Sequence, residues 1–177
     1  MWLSRIDHAR LDEYEQAKCA RVLATEQARC WLGVDGAWLY AYAEERAALD
    51  AYAAVEQVKL RVLADLPGAT AGATVARHYV VETDVAPEFE DEFNDWYQRE
   101  HLPGLARVPG TVRAQRFIVA AGAPRYMACY DLASESVFGS PDWLAVRATP
   151  WSDRVRAAFR NTRRMMFRPI VHPEAIA

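Results

Sequence analysis

The chain has 177 residues, 52% hydrophobic and 25% charged, with a formal net charge of −3. That is long enough to bury a core in one or two modules and too apolar for extensive disorder. The charge balance gives no general attraction to nucleic acid or to an anionic membrane, and no apolar run approaches the roughly 20 residues a membrane helix needs. The start, from Met1 to His8, does not read as a signal peptide. Cys19, Cys30 and Cys129 are widely spaced with no CxxC pair, so they read as reduced thiols of a cytoplasmic protein.

In chain order, Trp2 to Asp7 reads as a strand and Leu11 to Gln27 as a helix. Strands then follow from Ala28 to Leu32 and from Trp38 to Tyr42 across Gly36, and a helix from Arg46 to Leu66. A small-residue stretch, Leu66 to Gly72, divides the chain into modules at 1–66 and 74–172. In the second module, Arg77 to Asp84 has the β-branched and aromatic content of a strand. Pro87 and the acids Glu88, Glu90 and Asp91 suit a first helical turn. Phe89, Phe93, Trp96 and Tyr97 then form one apolar stripe. Pro103 disfavours helix at Leu102, so the helix is expected to stop near His101. Beyond Val108-Pro109-Gly110 come strands at Thr111 to Ala120 and Arg125 to Leu132. Proline-capped helices are expected at Ser140-Pro141 and Thr149-Pro150, with Trp151, Val155, Ala158 and Phe159 on the apolar face of the latter. A short strand from Met165 to Ile170 closes the chain.

The order of the second module is β-α-β-β-α-β, the ferredoxin-like plan of an antiparallel sheet with helices on one face. The first module echoes it. In each, a strand led by an Arg, at Arg29 and at Arg116, passes over a glycine turn to an aromatic strand ending in Tyr. The expectation is an α+β fold of two ferredoxin-like repeats in tandem, the first degenerate, burying their bare sheet faces in a barrel-like core.

Several residues carry a family resemblance: Glu92-Phe93-Asn94-Asp95-Trp96-Tyr97, Glu100-His101-Leu102-Pro103, Val108-Pro109-Gly110, Ala114 and Arg116, then Pro124 to Ala128 with Tyr130, and Thr149-Pro150-Trp151. The pattern resembles the EthD-like branch of the dimeric α+β barrel superfamily over roughly residues 77 to 171. The resemblance implies that His101 lies near a pocket between helix and sheet. It implies no single chemistry, because relatives include cyclases, cofactor-free monooxygenases, lactone isomerases and haem enzymes. Single-repeat relatives dimerise, so a homodimer is compatible with the pattern.

On a helical wheel Glu100 falls at the centre of the apolar stripe and His101 on its flank. A carboxylate there must be paired, hydrogen-bonded, or protonated with a raised pKa, as a general acid or base would be. The alternatives are an ion pair from Glu100 to Arg113 or Arg116, and His101 as a C-terminal helix cap. Tyr126 and Tyr130 share a strand face with Ala128 leaving room between them, and Phe117 and Val119 share a face of the neighbouring strand. The expected site has His101 and Glu100 as catalytic residues, with Trp96, Tyr97, Arg113, Arg116, Tyr126 and Tyr130 contacting substrate. No HxH, HExxH or Cys/His cluster points to a metal, and no cofactor loop is present. The function expected is a small cofactor-independent enzyme moving a proton on a hydrophobic, cyclic or aromatic, oxygenated molecule. A non-catalytic binding or assembly protein and a haem-binding protein are the alternatives. The arginines from Arg147 to Arg168 either face the acidic stretch from Glu82 to Glu100 or form an anion site.

Overall fold

A computed structural model describes residues 1–170 except 26, 48, 50–54 and 123. The chain forms two compact units, Met1–Leu60 with the residues from Met166 on, and Arg61–Met165. No helix among the described residues is long and apolar enough to cross a membrane.

The first unit holds β1 (Trp2–Asp7), α1 (Glu13–Thr25), β2 (Arg29–Gly33), β3 (Trp38–Ala43) and the start of β4 (Val55–Pro67). Its strands run β4-β1-β3-β2, and the pairs β4–β1, β1–β3 and β3–β2 are antiparallel. One core cluster is built of small and aliphatic side chains, including Ile6, Leu11, Cys19, Leu23, Cys30, Leu39, Ala41 and Leu49. Trp31, Tyr40, Tyr42 and Phe167 are buried as well, with the Tyr40 and Phe167 ring centroids 4.6 Å apart. The helix expected from Arg46 to Leu66 is not formed over Val55–Pro67, which is strand; positions 48 and 50–54 lie outside the described residues. Val55, Val58, Val62 and Leu66 happen to fall at helical spacing. The strand buries Val58 and Leu60, two apart on one face, instead.

The second unit holds the end of β4, then β5 (Arg77–Val85), α2 (Glu90–Trp96), α3 (Leu102–Ala106), β6 (Thr111–Val119) and β7 (Tyr126–Leu132). It is completed by α4 (Pro141–Arg147), α5 (Pro150–Ala157) and most of β8 (Phe159–Pro169). Its strand order is β8-β5-β7-β6-β4, so the ferredoxin-like order recurs with β4 added beside β6. The two proline-led helices start as expected: Ser140 Oγ accepts from Trp143 N and Thr149 Oγ1 from Ser152 N. The final strand is longer than expected and begins at Phe159, which therefore belongs to the sheet and not to α5.

The helix after β5 does not stop at His101. A π-helical turn, Tyr97–His101, links α2 directly to α3, which runs on to Ala106. Proline clashes with the carbonyl four residues earlier and lacks an N–H. The wider i→i+5 turn just before Pro103 accommodates both defects without ending the helix. Chain reversal comes instead at Val108-Pro109-Gly110. There Gly110 adopts φ +91° and donates its N–H to Thr70 Oγ1 at 2.8 Å.

Candidate functional site

The π turn sets which side chains reach the sheet. One extra residue in the turn rotates everything beyond it relative to a regular helical wheel. Trp96, Tyr97 and His101 are therefore all buried, while Glu100 is only half-buried. His101 stacks on Trp96 with ring centroids 4.1 Å apart and meets Tyr97 edge-on at 5.3 Å. Burial, followed by the charges of Arg147 and Arg156, pushes the His101 pKa down to about 3, so the imidazole is neutral. Its Nδ1 is buried with no partner. His101 sits mid-helix and is not a C-terminal cap.

Glu100 is not drawn into the sheet. It accepts a hydrogen bond from Thr149 Oγ1 at 2.6 Å, tying the π turn to the start of α5, and it pairs with neither Arg113 nor Arg116. Arg113 pairs with Asp65 at 2.5 Å on the half-exposed side of β6. A register irregularity between Thr111 and Arg113 precedes a run in which Arg116 lies opposite Ala128 and Ile118 opposite Tyr126. Arg116 and Ile118 thus share the face of Tyr126 and Tyr130. Phe117, opposite Met127, lies with Val119 on the other face, so these two share a face as expected but not the one that carries the two tyrosines.

Within the second unit these side chains line two cavities. The larger, of about 630 Å³, lies between α2 with its π turn and the strands β4, β6 and β7. That is the usual size of a small-molecule pocket. Arg116 forms its floor, only 5% exposed. Its guanidinium lies 4.4 Å from the Tyr97 ring, 4.8 Å from Phe93 and 5.1 Å from Tyr126, and donates to Asn94 Oδ1 at 2.7 Å. Its Nε has no partner, and no carboxylate among the described residues pairs with it. Burial lowers the Arg116 pKa, partly countered by the surrounding tyrosines.

Beside it, Tyr126 donates its hydroxyl proton to Glu90, which also pairs with Arg125 at 2.7 Å. Burial and that carboxylate push the Tyr126 pKa up, so the phenol stays protonated. Glu90, Asn94 and Gln98 also line this cavity and were not among the expected site residues. Their signal was available, since they recur every four residues as a polar stripe beside the aromatic one.

The second cavity is small, with room for the centre of about one water molecule (about 20 Å³). Trp96, Tyr97, His101 and Tyr130 border it, together with Tyr79, Trp143 and three arginines. Tyr97 borders both cavities. The expected site residues therefore divide. His101, Trp96 and Tyr130 face one space and Arg116 and Tyr126 the other, while Glu100 and Arg113 line neither. No group of three His, Cys, Asp or Glu side chains suited to a metal ion occurs among the described residues.

Comparison with known proteins turned up no matching family model and no matching curated protein. Solved structures do match. A ferredoxin-fold protein from Listeria monocytogenes 4b F2365, related to antibiotic biosynthesis monooxygenases, is 12% identical with a TM-score of 0.63, covering 97% of this chain and 96% of that one. The chain shares their α+β, ferredoxin-like fold. An anthrone oxidase-like protein is 16% identical (TM-score 0.61, 96% and 90% covered). The haem-degrading enzyme LmHde of Listeria monocytogenes is 11% identical (TM-score 0.60, 95% and 99%).

Proposed function

We propose that this chain is a small-molecule enzyme of the EthD-like kind that takes a planar, oxygenated, hydrophobic ligand into the larger cavity as its anion. The observation that carries this reading is Arg116. A buried guanidinium without a carboxylate costs several kcal/mol, and three aromatic faces return only about 0.5–2 kcal/mol each. Such a group, set in a pocket of ligand size, is suited to a phenolate or enolate oxygen. Phe93, Tyr97 and Tyr126 supply flat walls for an aromatic or cyclic body. Stabilising the oxyanion lowers the pKa of the ligand's hydroxyl or α-C–H. Glu90, directly or through the Tyr126 hydroxyl, is placed to accept the proton. Isomerisation, cyclisation and oxygenation all begin from such an anion. Proton transfer by His101 with Glu100 is less well supported, because Glu100 is bonded to Thr149 instead and a pKa pushed down to about 3 makes the imidazole a weak base.

Haem fits poorly. His101 is packed against two rings beside space for one water, and no His or Cys lines the larger cavity. The repeated strand order supports reading the chain as a tandem repeat whose second copy keeps the site.

Arg116→Gln tests the proposal. Titrations of anthrone and 1-naphthol, followed by tryptophan fluorescence, are expected to bind the native protein. Affinity should weaken roughly 30-fold or more in the variant, as for loss of a charged hydrogen bond. The variant's melting temperature should not fall, because an uncompensated buried charge has been removed. Equal affinity for both proteins would rule Arg116 out as the anchor. Tight binding without turnover of any ligand tried would favour the non-catalytic alternative.

A further inference from the structure

The small cavity beside His101 carries a second feature, independent of Arg116. Of the arginines that expectation set against the acidic stretch, Arg154 does pair with Glu92 at 2.6 Å and Arg163 with Glu82 at 2.9 Å. Arg156 pairs with Asp153 at 2.7 Å. Arg147, half-buried at the end of α4, and Arg164, exposed on β8, have no hydrogen bond or ion pair among the described residues, and both line this cavity with Arg156.

Two of the residues that border the same space carry a buried donor with no partner: the Trp143 indole Nε1 and the Tyr130 hydroxyl. Trp143 is fully buried and Tyr130 nearly so. Buried donors in folded proteins nearly always find an acceptor, so such a pair calls for an ion or ligand. Positive charge already dominates here, since Arg147 and Arg156 help to hold the His101 pKa down. A water could satisfy a donor but would not offset the two guanidiniums, Arg147 and Arg164, that have no acid partner among the described residues.

We propose that this cavity is a binding site for one compact monoanion, held by Arg147 and Arg164 at its mouth and by the Trp143 N–H and Tyr130 O–H within. Its size admits a halide, or the carboxylate end of a small acid such as formate, and excludes a bulky anion. Trp96 and Trp143 both border the cavity, so tryptophan fluorescence reports its occupancy.

The experiment titrates the native protein with sodium bromide, sodium chloride and sodium formate at constant ionic strength, with gluconate as the bulky reference. A saturable fluorescence change is expected with at least one of the three and not with gluconate. Saturation by bromide and chloride alone identifies an inorganic halide site, and saturation by formate identifies a carboxylate site. Replacing both surface arginines (Arg147→Gln with Arg164→Gln) should weaken binding tenfold or more, and Tyr130→Phe, which deletes only the unbonded hydroxyl, should weaken it several-fold. Arg116→Gln, which leaves both mouth arginines in place, should weaken binding less than the double arginine variant does, so this site and the larger cavity are told apart. A linear, unsaturable response, or an affinity unchanged in the double arginine variant, would overturn the proposal.

Discussion

His101 is neutral in the folded protein because burial strips the charged form of water, Arg147 and Arg156 repel it, and Nδ1 has no acceptor. The consequence for stability has a definite sign. The folded pKa, about 3, lies below the ordinary histidine value of about 6.5. Between those values the unfolded chain binds a proton that the folded chain refuses. Stability is therefore intact above pH 6.5 and is lost as pH falls from there toward 3. Over the first 1.5 units the loss from this group approaches about 2 kcal/mol. His101→Phe keeps a flat ring on Trp96 and removes the titration. Urea unfolding at pH 7.5 and at pH 5.0 is expected to show the variant losing about 2 kcal/mol less than the native protein. Parallel losses in the two proteins would mean that His101 is solvated and charges freely. Arg116 poses the same problem at a residue that does not readily deprotonate, and its partners are the Asn94 amide oxygen and three aromatic faces.

Among the elements, the segment from α2 to the turn at Gly110 positions both cavities, and it shows where the sequence was readable. The strands β1, β2, β3, β5, β6 and β7 and the proline-led starts of α4 and α5 followed from local pattern, because strand-forming content between turn residues and cap chemistry are both local. The π turn did not follow. A helical wheel assumes 3.6 residues per turn, and nothing in Tyr97-Gln98-Arg99-Glu100-His101 announces a wider one, so Glu100 was placed inward and the helix ended early. Pro103 was seen, yet its meaning depended on the turn before it. Of the candidate residues, Arg116, Tyr126, Trp96, Tyr97, His101 and Tyr130 line cavities. Their division between two spaces needed the strand register. At Gly110 the sequence signal and the structure coincide. A Cβ there would lie 2.3 Å from Val137 Cγ2, on a backbone at φ +91°. Gly110→Ala is expected to cost more than about 2 kcal/mol in urea unfolding, combining strain with overpacking. The double variant with Val137→Ala should recover only the packing share, and full recovery would show that the left-handed backbone carries no strain.

For the whole molecule, the two units share a strand order. The first buries the rings Trp31, Tyr40, Tyr42 and Phe167, but the cluster that holds Cys19 and Cys30 is packed with Ile, Leu and Ala; the second is built around rings such as Phe93, Trp96, Tyr130 and Trp143. Large aromatic side chains remove more apolar surface per residue and add ring–ring contacts of about 0.5–1.5 kcal/mol each. The aliphatic cluster of the first unit should therefore open at lower denaturant. The cysteines report this directly: Cys19 and Cys30 belong to the first core, Cys129 lies on β7 in the second unit, and all three are buried thiols. Burial also raises the Cys19 pKa and pushes Cys30 up to about 11, so the native thiols have little thiolate to react. Brief alkylation across a urea series, read by peptide mass spectrometry, is expected to leave all three unmodified without denaturant. Cys19 and Cys30 should then be labelled at a lower urea concentration than Cys129, as separate cooperative units open in order of stability. β4 and β8 each run from one unit into the other, which limits how far apart the two midpoints can fall. Labelling of all three at one midpoint would mean that this continuity makes the chain a single folding unit, and labelling of Cys129 first would reverse the ranking of the cores.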